Sequence, residues 1–102
     1  MPVYNKAIRD RIPEIIEKSG SQCNVKTLSD NEFLPHLENK LREELNEYET
    51  SDSVMELADL IEVIYRIAEL RNVSVEDLES MRLEKRAKRG AFEENLFLID
   101  TS

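Results

Sequence analysis

Cysteine occurs once in this chain, at Cys23. No internal disulfide can form, and the reducing cytosol is the expected compartment. No base is readable near Cys23, so it is read as a free thiol rather than a nucleophile. Tryptophan is absent and histidine occurs once, at His36. A ferritin-like di-iron bundle needs Glu-x-x-His pairs, and position 33 carries Phe33 rather than a glutamate. His36 is therefore read as a surface or packing residue. Glycine occurs twice and proline three times, which leaves few interruptions for regular structure. No apolar run is long enough for a membrane helix, and the start of the chain carries no signal-peptide pattern. Positive charge is outnumbered, with 14 Lys and Arg against 22 Asp and Glu. A net charge of −8 argues against binding a nucleic-acid polymer, which relies on basic surface.

What is present is helical material. Hydrophobic residues make up 40% and charged residues 35%, with Glu, Leu, Ile, Lys and Arg prominent, which predicts an all-α protein. A length of 102 residues predicts one domain over 1–102 with a modest core. The charge is segregated. Residues 32–62 hold ten acidic side chains against two basic ones, Lys40 and Arg42. Lys6, Arg9 and Arg11 cluster before that stretch; Arg82, Lys85, Arg86, Lys88 and Arg89 cluster after it.

Four helices are expected. Pro13 suits the start of a short first helix and Gly20 its stop, and the stretch "SQCNVKTLS" follows as a loop or short extended piece. Ser29 with Glu32 reads as a capping box opening a second helix, whose apolar stripe is Leu34, Leu37, Leu41, Leu45 and Tyr48. Pro35 falls in its first turns, where it is tolerated. "TSDS" breaks that helix, and Ser53 with Glu56 reads as a second capping box. The third helix, to about Asn72, is apolar around most of its circumference; Glu56, Asp59, Glu62, Arg66 and Glu69 form its one polar stripe. Such a helix must be central, and a partner subunit is expected to complete its cover. Ser74 with Asp77 caps a fourth helix to about Arg89, ended by Gly90. The remaining "AFEENLFLID" is expected as an extended tail, pairing with residues 25–28. The predicted architecture is an antiparallel bundle of about four helices, its core completed by oligomerisation.

The segment "EELNEYETSDSVMELAD" places two acidic pairs at equal spacing, Glu44 with Glu47 and Glu56 with Asp59. Helical residues three apart share a face, roughly 5–6 Å apart at Cβ. A short connection makes the two helices antiparallel neighbours, so both pairs can edge one groove. Four carboxylates there repel one another unless something neutralises them, and Mg²⁺, a hard cation with oxygen ligands, is suited to that. The plainer reading is a solvated acidic face, with Glu62 and Arg66 as an exposed i,i+4 pair. Two features favour the metal: the stripe lies on an otherwise buried helix, and separate basic clusters could hold a phosphate substrate.

"KLREELNEYE" followed by "ELAD" resembles the E-E-x-x-E … E-x-x-D signature of the MazG-like, all-α NTP pyrophosphatase superfamily. "YNKAIRDRIPEII" and "KRAKRGAFEENLFL" resemble its small phosphoribosyl-ATP pyrophosphohydrolase-like branch, so the likeness spans nearly the whole chain. "RGAF" departs from it where that branch often has a second glycine. The resemblance implies a Mg²⁺-dependent hydrolase, with Mn²⁺ as a substitute. It would cleave a nucleoside triphosphate between its α and β phosphates to a monophosphate and pyrophosphate, as in house-cleaning of noncanonical nucleotides. By the same pattern Glu44, Glu47, Glu56 and Asp59 map onto the metal ligands and catalytic acids, and the role of Glu43 stays open. Attack on a phosphoryl group needs charge neutralised and a nucleophile positioned, which cations and basic side chains can do. Lys6, Arg9, Lys85, Arg86 and Arg89 are the candidate phosphate-binding residues, against a plainer role as segment anchors and helix-end charge. Asn5 is a weaker ligand candidate, and Tyr48 and Tyr65 are read as core. The rival functions are phosphoribosyl-ATP pyrophosphatase of histidine biosynthesis and a non-catalytic helical interaction module. The expected assembly is a homodimer or homotetramer, cytoplasmic, with no membrane and no nucleic-acid polymer as partner.

Overall fold

The computed structural model describes residues 2–102. Four helices follow one another, α1 Ile12–Lys18, α2 Asp30–Ser51, α3 Met55–Leu70 and α4 Val75–Arg89, and there is no strand among the described residues. The fold is the expected all-α bundle.

Local chemistry sets most of the boundaries. Pro13 lies in the first turn of α1, and Gly20 follows its end at φ +93°, a value that favours glycine. At α2 the capping box forms in both directions. The Glu32 amide donates to Ser29 Oγ at 3.2 Å, and the Ser29 amide donates to Glu32 Oε1 at 3.2 Å. Pro35 sits inside α2 without ending it. Asp52, in the left-handed region at φ 55°, closes the helix. Ser74 Oγ accepts from the Asp77 amide at 3.1 Å to open α4, and Gly90 closes it at φ +85°.

Three expectations are corrected here. No capping box forms at α3. Its N-cap is Val54, with no side-chain cap, and Ser53 Oγ accepts from the Met55 amide at 3.3 Å instead. Glu56 is directed elsewhere, as described below. The tail does not pair with residues 25–28, because neither segment is a strand; the tail's apolar side chains, Phe92, Leu96, Phe97, Leu98 and Ile99, are exposed. The third helix also ends two residues before the expected Asn72, at Leu70.

The three-residue connection between α2 and α3 folds them into an antiparallel pair, the main packing of the molecule, and α4 packs on α3 to a lesser extent. The core is small. Ala7, Leu37 and Val63 are buried together, with Phe33, Leu41, Ile67 and Leu70 packed around them. Ala7 comes from the irregular N-terminal segment and is only 4% exposed. Its burial fixes that segment across the α2–α3 pair. One side of α3 stays open: Leu57, Ile61 and Ile64 are 40%, 48% and 40% exposed. The Cα radius of gyration is 17.8 Å, against about 13 Å for a compact chain of this length.

Candidate metal centre

The acidic groove forms where the two helices meet. Glu44 on α2 and Glu56 and Asp59 on α3 each place a carboxylate oxygen within 4.8 Å of the others. Glu44 is only 7% exposed, since the three-to-four spacing of α2 turns it toward α3 beside Leu37 and Leu41. Two oxygens, Glu44 Oε2 and Glu56 Oε2, are buried without a hydrogen-bond partner. Buried carboxylate oxygens left in that condition are costly.

The electrostatics follow from this crowding. Glu56 is raised from the ordinary 4.5 to about 7, first by desolvation, then by the adjoining Glu44 and Asp59 carboxylates, which favour its protonated form, and by the charges of Glu47 and Asp59. Glu47 is also raised, chiefly by the adjoining Glu44 carboxylate and its charge. Adjacent like charges and loss of water both favour the protonated form. A proton or a cation relieves the same strain. The donor set is all carboxylate oxygen, which suits a hard cation such as Mg²⁺ or Mn²⁺. The orphaned oxygens of Glu44 and Glu56 therefore fit the metal that the spacing suggests.

Of the four expected ligands, Glu44, Glu56 and Asp59 form the close group, and Glu47 adjoins it through Glu44. The N-terminal cations reach the same place. Arg9 Nη2 donates to Asp59 Oδ1 at 2.7 Å, and Lys6 Nζ donates to Glu43 Oε1 at 2.9 Å. The Lys6 hydrogen bond holds the Glu43 carboxyl below its usual value. Glu43 thus anchors the N-terminal segment. Asn5, at φ 45°, lies with Lys6, His36, Asn39, Lys40 and Glu43 around a small cavity of about 50 Å³ beside the acids.

The C-terminal cations are arranged differently. Arg82 pairs with Glu79, Arg86 with Glu93 and Lys88 with Glu84, all at the surface, while Lys85 and Arg89 make no ion pair among the described residues. None of these pairs reaches the acidic group. Arg66 pairs with Glu69 at 3.4 Å rather than with Glu62. Tyr65 is half-buried and donates its hydroxyl to Glu79 at 2.8 Å. Lys40 was not singled out from the sequence. It lies 3.4 Å from Glu44 and 3.6 Å from Glu43, and its spacing of four and three residues from them was the available signal.

No family model matches the chain, and no solved structure matches it. The chain is similar to an uncharacterized protein of Mycolicibacterium smegmatis, 46% identical over 46 residues. That segment covers 45% of this chain and 47% of the relative, so it spans a little under half of each.

Proposed function

We propose that the chain is a divalent-cation-dependent nucleotide pyrophosphohydrolase of the MazG-like, all-α superfamily, in its small phosphoribosyl-ATP pyrophosphohydrolase-like branch. The observation that carries this reading is the convergence of Glu44, Glu56 and Asp59 with two buried, unpartnered carboxylate oxygens. A solvated acidic face has no such oxygens, because water partners them.

Glu44, Glu56 and Asp59 would hold Mg²⁺ or Mn²⁺, with Glu47 alongside. When bound, such an ion neutralises phosphate charge and makes water a better nucleophile. The chain's own residues supply the rest. Arg9 and Lys6 are carried to the groove by the buried Ala7 and present cations to the phosphates. Lys85, Arg86 and Arg89 are the second set of phosphate cations in this reading. Water attacks at the α–β linkage, and the triphosphate leaves as a nucleoside monophosphate and pyrophosphate. The active form is a homodimer or homotetramer joined through the exposed face of α3, which leaves Leu57, Ile61 and Ile64 in water otherwise. A cytoplasmic location agrees with the single cysteine. No helix among the described residues is long and apolar enough to cross a membrane.

The test is a panel of common and noncanonical nucleoside triphosphates and phosphoribosyl-ATP, with pyrophosphate detection and with or without Mg²⁺. Mg²⁺-dependent pyrophosphate release by the wild type, lost in Asp59→Asn while helical circular dichroism persists, is the expected result. Turnover near wild type in both Asp59→Asn and Glu56→Gln removes the metal-site reading.

A further inference from the structure

Arg9 holds a position that a bound cation would contest. Its guanidinium lies 2.7 Å from Asp59, one of the three carboxylates that close on one point. The pair joins residues fifty apart in the chain. The backbone on either side of the side chain is fixed. Ala7 is buried in the core, and the Arg9 carbonyl accepts from the Ile12 amide at 3.1 Å. The side chain itself is 54% exposed. A long, half-exposed side chain on a fixed root can change partner without moving the segment that carries it. Lys6 differs, because its partner Glu43 lies outside the close group of carboxylates.

We infer that Arg9 is a displaceable counter-ion of the acidic centre: cation entry at Asp59 releases its guanidinium, which then grips the phosphates of the incoming substrate. This rests on the metal-site reading above. The chemistry is a competition for one carboxylate. A divalent cation at Asp59 repels the guanidinium at close range and takes the anionic charge that held it. A phosphate then offers Arg9 a better partner, since the guanidinium fork binds phosphate oxygens in pairs. Cation and phosphate binding are thereby ordered, the first freeing the residue that the second uses. Ala7, buried in the core, keeps the segment in place throughout.

The inference predicts opposite effects on two ligands. In nucleotide-free protein, Arg9→Gln should bind Mn²⁺ about fivefold more tightly than wild type, the upper range for loss of one exposed ion pair. In saturating Mg²⁺ the same variant should bind inorganic pyrophosphate about tenfold more weakly, having lost a charged phosphate contact. Arg11→Gln removes the same charge two residues along, from an exposed side chain, and should leave Mn²⁺ affinity within about twofold of wild type because salt screens it. In the wild type, the Arg9 guanidinium resonance should be protected from exchange without cation and lose that protection on adding Mg²⁺. Unchanged protection overturns the inference, as does equal tightening by Arg11→Gln, or effects of the same sign on Mn²⁺ and pyrophosphate. Glu56→Gln separates the two levels. If it binds Mn²⁺ as wild type does, the metal centre itself falls and the inference with it. If it loses Mn²⁺ while Arg9 of the wild type keeps its protection on adding Mg²⁺, only the inference falls.

Discussion

Glu56 occupies a position with two competing uses. It stands three residues after Ser53, where a capping box would claim it, and three before Asp59, where the acidic group does. The group claims it, and its proton affinity rises to about 7, chiefly through desolvation and then through Glu44 and Asp59. In the unfolded chain it reverts toward 4.5, so between about 4.5 and about 7 the folded state binds the extra proton. Stability from this group therefore falls as pH rises through that window, and Glu47, also raised, acts in the same direction. Glu43, lowered by Lys6, gives stability that is lost only on acidification below the ordinary carboxylate range, outside this window. With chelator present, the thermal midpoint should drop between about pH 4.5 and about pH 7, and Glu56→Gln should reduce that slope and raise the midpoint at the upper end. Added Mg²⁺ should raise the wild-type midpoint there. Identical pH profiles for wild type and Glu56→Gln would contradict this. The acids themselves were legible, because equal helical spacing on two adjoining helices directs them to one groove. The partner of Arg9 was not, since that contact depends on how Ala7 docks, and no local pattern encodes it.

The helix ends show where local signals suffice. Ser29 and Ser53 carry the same Ser-x-x-Glu pattern, yet only Ser29 forms the reciprocal pair. Nothing near Glu32 competes for its carboxylate; at Glu56, two acids of the facing groove do. Ser29→Ala should therefore cost about 1 kcal/mol, read as a lower urea midpoint, and Ser53→Ala about half of that or less. Equal losses would mean that the second box forms in solution. The expected pairing of the tail with residues 25–28 does not form, because the tail's apolar residues find no partner edge. An apolar segment becomes a strand only where another lies beside it, and the loop at 21–29 offers none.

At the level of the whole molecule, the sequence foretold a helix too apolar for its own chain to cover. The core takes in Val63 and Ala68 of α3 and leaves Leu57, Ile61 and Ile64 open. Sedimentation at micromolar concentration should give a dimer or larger species, and Ile61→Glu should shift it toward monomer by placing a charge in the joined face. A monomeric wild type would contradict this. Lys85, Arg86 and Arg89 make no contact with the acidic group within one chain, so their predicted phosphate role requires either a bound substrate or a neighbouring subunit to bring them near.

The most direct measurement is an anomalous difference map from a crystal grown with Mn²⁺. A peak about 2 Å from the carboxylates of Glu44, Glu56 and Asp59 is the predicted result. Mn²⁺ bound only at other surface acids, or no peak in the groove at a concentration that supports turnover, would contradict it.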